Sequence, residues 1–151
     1  MLTDNLIFRV PAPQIPVFWE AIKFACSKAD AVDEKFYSVY FNELLQALLS
    51  DKAQCFVVLD EKRTLHRIVL TRTMYDKLKG DTELVIQCMY SMTRMTDEEI
   101  QKYFAFAIST AKSLGCKRIT WKSSNPRIWE WAELVGCFPQ TRTYSYELGG
   151  V

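Results

Sequence analysis

Leu84-Val85-Ile86-Gln87-Cys88-Met89-Tyr90, Thr96-Asp97-Glu98-Glu99, Gly115, Lys117-Arg118-Ile119-Thr120-Trp121, Asn125-Pro126 and Gly136 follow one another, and this succession decides the fold. The first run is β-rich and too short for a free-standing helix. Thr96 reads as a helix N-cap, with Glu99 three residues on as its capping-box partner. Ile100, Phe104, Ala107, Ile108, Ala111 and Leu114 then recur at helical spacing on one face, and Gly115 stops the helix. Lys117–Trp121 is a second short strand. Asn125 and Pro126 open another helix as N-cap and first helical residue, and it runs to Gly136. Strand, helix, strand, helix in this order predicts a parallel strand pair joined by a right-handed crossover.

Upstream, Leu6–Val10 reads as an opening strand, closed by Pro11 and Pro13. Pro16 begins a helix to about Lys28. A polar turn over Ala29–Asp33 leads to a second helix whose apolar face holds Phe36, Tyr37, Tyr40, Phe41, Leu44, Leu45, Leu48 and Leu49. That face is broad and aromatic, which suits either core packing or a partly open partner-binding surface. Three strands follow, over Ala53–Leu59, Leu65–Thr73 and Glu83–Met89, with turns at Asp60–Arg63 and Lys79–Asp81. The last segment, Thr141–Leu148, alternates strictly and is predicted as a final strand. The result is an α/β chain in the order β-α-α-β-β-β-α-β-α-β: an antiparallel meander feeding a parallel βαβ pair, in one domain over 1–151.

Composition narrows the function classes. The chain has 151 residues, 49% hydrophobic and 25% charged, with a formal charge of +1. Near-neutral charge gives no bulk argument for nucleic acid, although Lys117, Arg118, Lys122 and Arg127 form a local basic group. The five cysteines, Cys26, Cys55, Cys88, Cys116 and Cys137, are odd in number and form no C-x-x-C pair, so neither a zinc site nor a disulfide framework is expected. Free cysteines in apolar runs suit a reducing compartment. No charged-then-apolar leader opens the sequence and no apolar run approaches about 18 residues, so no membrane association is expected.

The order and length resemble the GNAT family of N-acetyltransferases. Members of that family place an Asn after the fifth strand, then a helix, then Gly-Phe about eleven positions on; here Asn125 and Gly136 have that separation, followed by Cys137-Phe138. Arg9 after an opening strand also suits the family. The resemblance implies acetyl-CoA held by a loop of the type Q/R-x-x-G-x-G/A between the fourth strand and third helix, where glycines admit the pyrophosphate to free N–H groups. Alignment from Gly115 puts that loop on Met95–Ile100, with the glycine positions at Glu98 and Ile100. No glycine occurs between Gly80 and Gly115. Asp97, Glu98 and Glu99 complement the helix dipole themselves, and a pyrophosphate beside them would be repelled by about 1 kcal/mol per pair even in bulk water.

The resemblance also implies a Tyr seven positions after the Asn as general acid, and that position is Ala132. Tyr144 or Tyr146 would have to substitute. Glu83 is the candidate base, at the start of the strand from which some members draw one. His66, the only histidine, has no cysteine, serine or carboxylate pattern around it from which to build a triad or metal site. An active N-acyltransferase would need Met92, Arg94 and Thr96 to hold acetyl-CoA through strand amides and one guanidinium. A branch of the family fits better: GNAT-like proteins of short-tailed bacteriophages that also lack the glycine loop. The residues that carry this likeness are Asn125, Ile128, Trp129, Trp131, Val135-Gly136 and Phe138. It implies no cofactor, no metal, a virion or host-cytoplasm location, and other protein chains, phage structural proteins among them, as partners. Trp19, Trp129 and Trp131 are the candidate anchors of such an interface.

Overall fold

The computed structural model describes residues 6–29, 32–140 and 142–149. Strands β1 (Leu6–Arg9), β2 (Ala53–Leu59), β3 (Leu65–Asp76), β4 (Asp81–Ser91) and β5 (Arg118–Trp121) form one sheet in the order β1-β2-β3-β4-β5. The first four are antiparallel neighbours, and β5 lies parallel to β4 with Glu83 opposite Arg118 and Ile86 opposite Trp121. Helices α1 (Ile15–Ala29) and α2 (Tyr37–Leu49) separate β1 from β2; α3 (Asp97–Ser113) makes the β4–β5 crossover, and α4 (Pro126–Leu134) follows β5. Short 3-10 turns at Ala12–Gln14 and Glu34–Phe36 lead into α1 and α2.

The period-2 alternation of the strands divides the core between two faces. Cys55, Val57, Ile68, Leu70 and Cys88 meet Ile22, Ala25 and Cys26 of α1 and Phe41, Leu44 and Leu48 of α2 in one buried cluster. On the opposite face, Phe56, Val69, Leu84 and Ile86 line a narrow apolar cavity of about 50 Å³ with Ile100, Tyr103, Phe104 and Phe106 of α3. Phe56 and Phe106 pack edge to face at 5.6 Å. Ile108, read as part of the apolar stripe of α3, is 38% exposed because it lies off the centre of that stripe.

Register shifts by one residue where Leu70 faces Cys88 but Thr71 faces Ile86. Gln87 is the extra residue of a bulge, and a bulge re-aims a side chain. Its Oε1 accepts from Arg72 Nε at 2.6 Å and its Nε2 donates to the Tyr40 hydroxyl at 3.2 Å. Arg72 in turn donates to both carboxylate oxygens of Glu43, at 2.7 Å to Oε1. The bulge thereby ties α2 to the middle of the sheet.

The predicted final strand is not formed. Residues 142–149 carry neither helix nor strand, and Tyr144, Tyr146 and Leu148 are exposed; Thr141 lies outside the described residues. Alternation supplies a strand's side chains, but a strand without a neighbour has no ladder to hold it. Asp30 and Ala31 of the predicted turn after α1 also lie outside the described residues.

Candidate functional site

The turn between β4 and α3 is where a cofactor would meet a helix N-terminus. Thr96 Oγ1 accepts from the Glu99 amide at 3.2 Å, and Glu99 Oε1 accepts from the Thr96 amide at 3.3 Å. Met95 and Ile100 occupy the two positions of a hydrophobic staple around this cap, and both are buried. The amide of Met92, one of the predicted cofactor contacts, donates to the His66 carbonyl at 2.8 Å. Arg94 is exposed, and its carbonyl accepts from Arg67.

Arg67, on β3, lies beneath this turn with its side chain only 4% accessible. Its Nη2 meets Glu99 Oε2 at 2.8 Å and reaches Thr93 Oγ1 at 3.3 Å and the Arg94 carbonyl at 3.4 Å. Its Nη1 donates to the Tyr103 hydroxyl at 3.3 Å, and the guanidinium stacks 5.5 Å from that ring. Read from the sequence, Arg67 is only a polar residue of an alternating strand with no site role; an Arg among Leu65, Ile68 and Val69 of a predicted strand is the available signal.

A diphosphate needs free N–H groups, yielding backbone and unspent positive charge. Here the Glu99 amide goes to Thr96, the first turn carries Asp97, Glu98 and Glu99, and the buried guanidinium is matched by Glu99. These residues do not fit a diphosphate at this helix start.

Glu83 is engaged elsewhere. Its Oε2 accepts from Arg118 Nε at 3.1 Å and from Thr120 Oγ1 at 2.9 Å. Arg118 also meets Asp76 at 2.9 Å and Asp81 at 2.8 Å, so this member of the basic group is surrounded by carboxylates. Partial burial pushes the Asp76 carboxyl upward, but the Leu78 and Lys79 amides and the Arg118 charge outweigh it and hold the pKa below the usual value. Eight residue-to-residue steps along the strand separate Glu83 from Ser91, about 26 Å at the usual rise, which puts Glu83 at the far end of β4 from α3. Tyr144 is 85% exposed in a segment without strand. The structure therefore does not bring Glu83 and the Met92–Thr96 turn together. His66 Nε2 donates to Asp60 Oδ2 at 3.0 Å, and that contact, with the Thr64 and Lys62 amides, lowers the Asp60 pKa.

A second concavity opens between α1 and α2, a groove of about 510 Å³ lined by Trp19, Lys23, Phe24, Tyr37, Phe41 and Leu45. Phe41 is its floor, with Trp19 at 6.1 Å and Tyr37 at 5.5 Å, each edge to face. Lys23 pairs with Glu20 at 2.9 Å and lies 5.8 Å from the Trp19 ring centre. The wide apolar face of α2 divides its residues: Phe41, Leu44 and Leu48 are core, while Tyr37 and Leu45 edge the groove. Trp129 and Trp131 belong to α4, which packs on α3 at the other face of the sheet. Trp129 is 53% exposed and donates from Nε1 to the Ser123 carbonyl at 2.6 Å; Trp131 is half-buried under Arg127. The three tryptophans therefore do not form one patch.

Among the described residues no three His, Cys, Asp or Glu side chains are grouped to hold a metal ion, and no helix is long and apolar enough to cross a membrane.

No protein-family model matches the sequence, and no curated protein sequence matches it. Solved structures do. A candidate acetyl transferase from Pyrococcus furiosus superposes with a TM-score of 0.73 at 19% identity, over 96% of this chain and 100% of that one. The aminoglycoside N-acetyltransferase AAC(6')-Iy, in complex with CoA, gives 0.72 at 12% identity, over 99% and 98%. A GNAT family acetyltransferase from Staphylococcus aureus gives 0.64 at 14%, over 97% and 100%. With likeness running from end to end of both partners and a mixed five-stranded sheet covered on both faces, this chain has a GNAT-like fold.

Proposed function

We propose that this chain uses the acetyltransferase scaffold as a protein-binding component and does not transfer acyl groups. The observation that carries the reading is the closed start of α3, where Thr96 and Glu99 cap each other and Glu99 also takes up the charge of Arg67. Glu83 in its own ion cluster and Ala132 at the expected acid position point the same way. The partners of this reading are other protein chains, with Trp19 in the α1–α2 groove and Trp129 on α4 as separate anchors. Its setting is virion association or assembly in a short-tailed bacteriophage, which rests on the sequence resemblance around Asn125–Phe138.

The second reading is an acyl-CoA-dependent N-acetyltransferase with a divergent cofactor loop, favoured by the full-length structural likeness to acetyltransferases. Titration with acetyl-CoA decides between them. The first reading expects no binding heat and no thermal shift. Saturable micromolar binding, with the roughly 2.7 kcal/mol of added stability that a hundredfold excess over the dissociation constant brings, would establish the second.

A further inference from the structure

The β3–β4 hairpin outruns the rest of the sheet at its turn. β2 pairs with β3 only as far as Ala53 opposite Arg72, and β5 meets β4 only from Arg118 opposite Glu83 onward. Beyond those positions Tyr75 faces Thr82 and Asp76 faces Asp81, so the hairpin projects as two strands and a turn. Two strands alone are marginal in water, yet this tip is held firmly. Asp76 Oδ1 accepts from the Leu78 and Lys79 amides at 2.9 and 3.2 Å, and the Asp76 carbonyl accepts from the Gly80 amide at 2.8 Å. Gly80 closes the turn at φ +69°. Arg118 then fastens the tip to the body of the sheet through Asp76, Asp81 and Glu83.

That fastening sorts the charges. The three carboxylates converge on one largely covered guanidinium, while Lys77 and Lys79 are exposed on the turn. Two more exposed lysines adjoin the base of the hairpin: the Lys52 carbonyl accepts from the Thr73 amide at 3.2 Å, and the Lys117 amide donates to the Thr82 carbonyl at 2.9 Å. No ion pair among the described residues takes up any of these four lysines, although Asp76 feels the Lys79 charge. With Arg118, five cations stand against three carboxylates, and the unmatched ones are outermost. At the apex between Lys77 and Lys79 sits Leu78, 98% exposed, more than any other large apolar side chain among the described residues. Tyr75 and Met74, also exposed, lie just behind it.

We infer that this tip seats the protein on an anionic lipid surface. Leu78 enters the boundary between headgroups and acyl chains, Tyr75 lies at headgroup level, and the lysines meet the lipid phosphates. Because the turn is already ordered, seating it costs little conformational freedom. Single-stranded nucleic acid fits less well, since it needs aromatic platforms along a basic groove, and the apex here is aliphatic and convex. The sequence gives no sign of a membrane because it has no long apolar run; one leucine ringed by lysines becomes an apex only through the pairing of β3 with β4. Nothing in this inference depends on whether acyl groups are transferred.

Co-flotation of the full chain with vesicles tests this. One set of vesicles is phosphatidylcholine alone, and the other is phosphatidylcholine and phosphatidylglycerol in equal parts. Reversible association with the anionic vesicles only, weakening as salt rises, is the expected result. Leu78→Ser is expected to lower the partition about tenfold, from the apolar burial it gives up, and Leu78→Phe to restore it. Lys77→Gln/Lys79→Gln is expected to lower it as well, whereas Leu134→Ser, at an exposed leucine of α4, leaves it unchanged. Circular dichroism checks that each variant stays folded. No association with anionic vesicles, association indifferent to Leu78→Ser, or binding to a single-stranded oligonucleotide that outcompetes the vesicles would each overturn the inference.

Discussion

Arg67 of β3 and Glu99 of α3 are joined by a 2.8 Å ion pair in which the arginine side chain is 4% accessible and the glutamate 27%. The same carboxylate caps the helix through Thr96. One side chain thus both satisfies a helix terminus and neutralises a buried cation, and the local and tertiary roles reinforce one another.

Glu99→Gln keeps the shape of the cap but leaves the guanidinium without its counter-charge. Removing one partner of a fully buried pair costs about 3–5 kcal/mol; water reaches Glu99, so a loss of about 2–3 kcal/mol is expected by the same reasoning. Arg67→Met is expected to cost less, since it removes the charge along with its partner's obligation. Urea denaturation of the two variants measures both. Equal stability of Glu99→Gln and the parent would show that the pair contributes nothing.

The pH dependence follows from carboxylates held below their ordinary pKa. Glu43 is lowered chiefly by hydrogen bonds from Arg72, partly opposed by its own desolvation; Asp60 is lowered chiefly by its bond with His66. A carboxyl with a depressed folded pKa binds fewer protons folded than unfolded, so stability rises with pH across that window. The contribution is complete above the unfolded carboxylate range of about 4 and is lost as pH falls through the folded values. Melting temperature is therefore expected to drop steeply below that range, and the drop is expected to be shallower in Asp60→Asn. A profile as steep in Asp60→Asn as in the parent would remove Asp60 from the account.

What the sequence disclosed was what is local. Thr96 with Glu99, Asn125 with Pro126, and the glycines at 115 and 136 act within a few residues, and the structure keeps each: both helices are capped as read, and Gly115 and Gly136 take φ of +74° and +95°. Glu83 with Arg118, Arg67 with Glu99 and Gln87 with Arg72 join residues far apart in the chain. Their pairing depends on register, and a one-residue bulge resets register without a sequence mark. The segment after Gln140 shows the converse: its alternation was legible, but whether a strand forms depends on a neighbour.

Trp19 and Trp129 are expected to separate stability from binding. Trp19 is half-buried against Phe41, so Trp19→Ala is expected to cost about 1–2 kcal/mol, a fraction of the ~3–5 of a fully buried aromatic. Trp129 is 53% exposed with one hydrogen bond to Ser123, and Trp129→Ala is expected to cost about 1 kcal/mol or less. Chemical denaturation checks the order. A larger loss at Trp129 would mark it as packing rather than as a surface anchor.

The cysteines test the core. None of the five is joined in a disulfide; Cys26, Cys55 and Cys88 are buried in the cluster between the sheet and α1–α2, whereas Cys116 and Cys137 are half-buried. Thiolate is the reactive form, and burial pushes Cys55 up to about 12 and raises Cys116 and Cys137 less far. Access and ionisation therefore oppose reaction at Cys55 together, while at Cys116 and Cys137 access is only partly closed. Titration with a chromogenic disulfide at mildly alkaline pH is expected to modify at most Cys116 and Cys137 in the folded protein, and slowly. In denaturant without reductant all five are expected to react at once. A third thiol reacting quickly in the folded state would mean that α1 lifts from the sheet, and fewer than five in denaturant would reveal a disulfide.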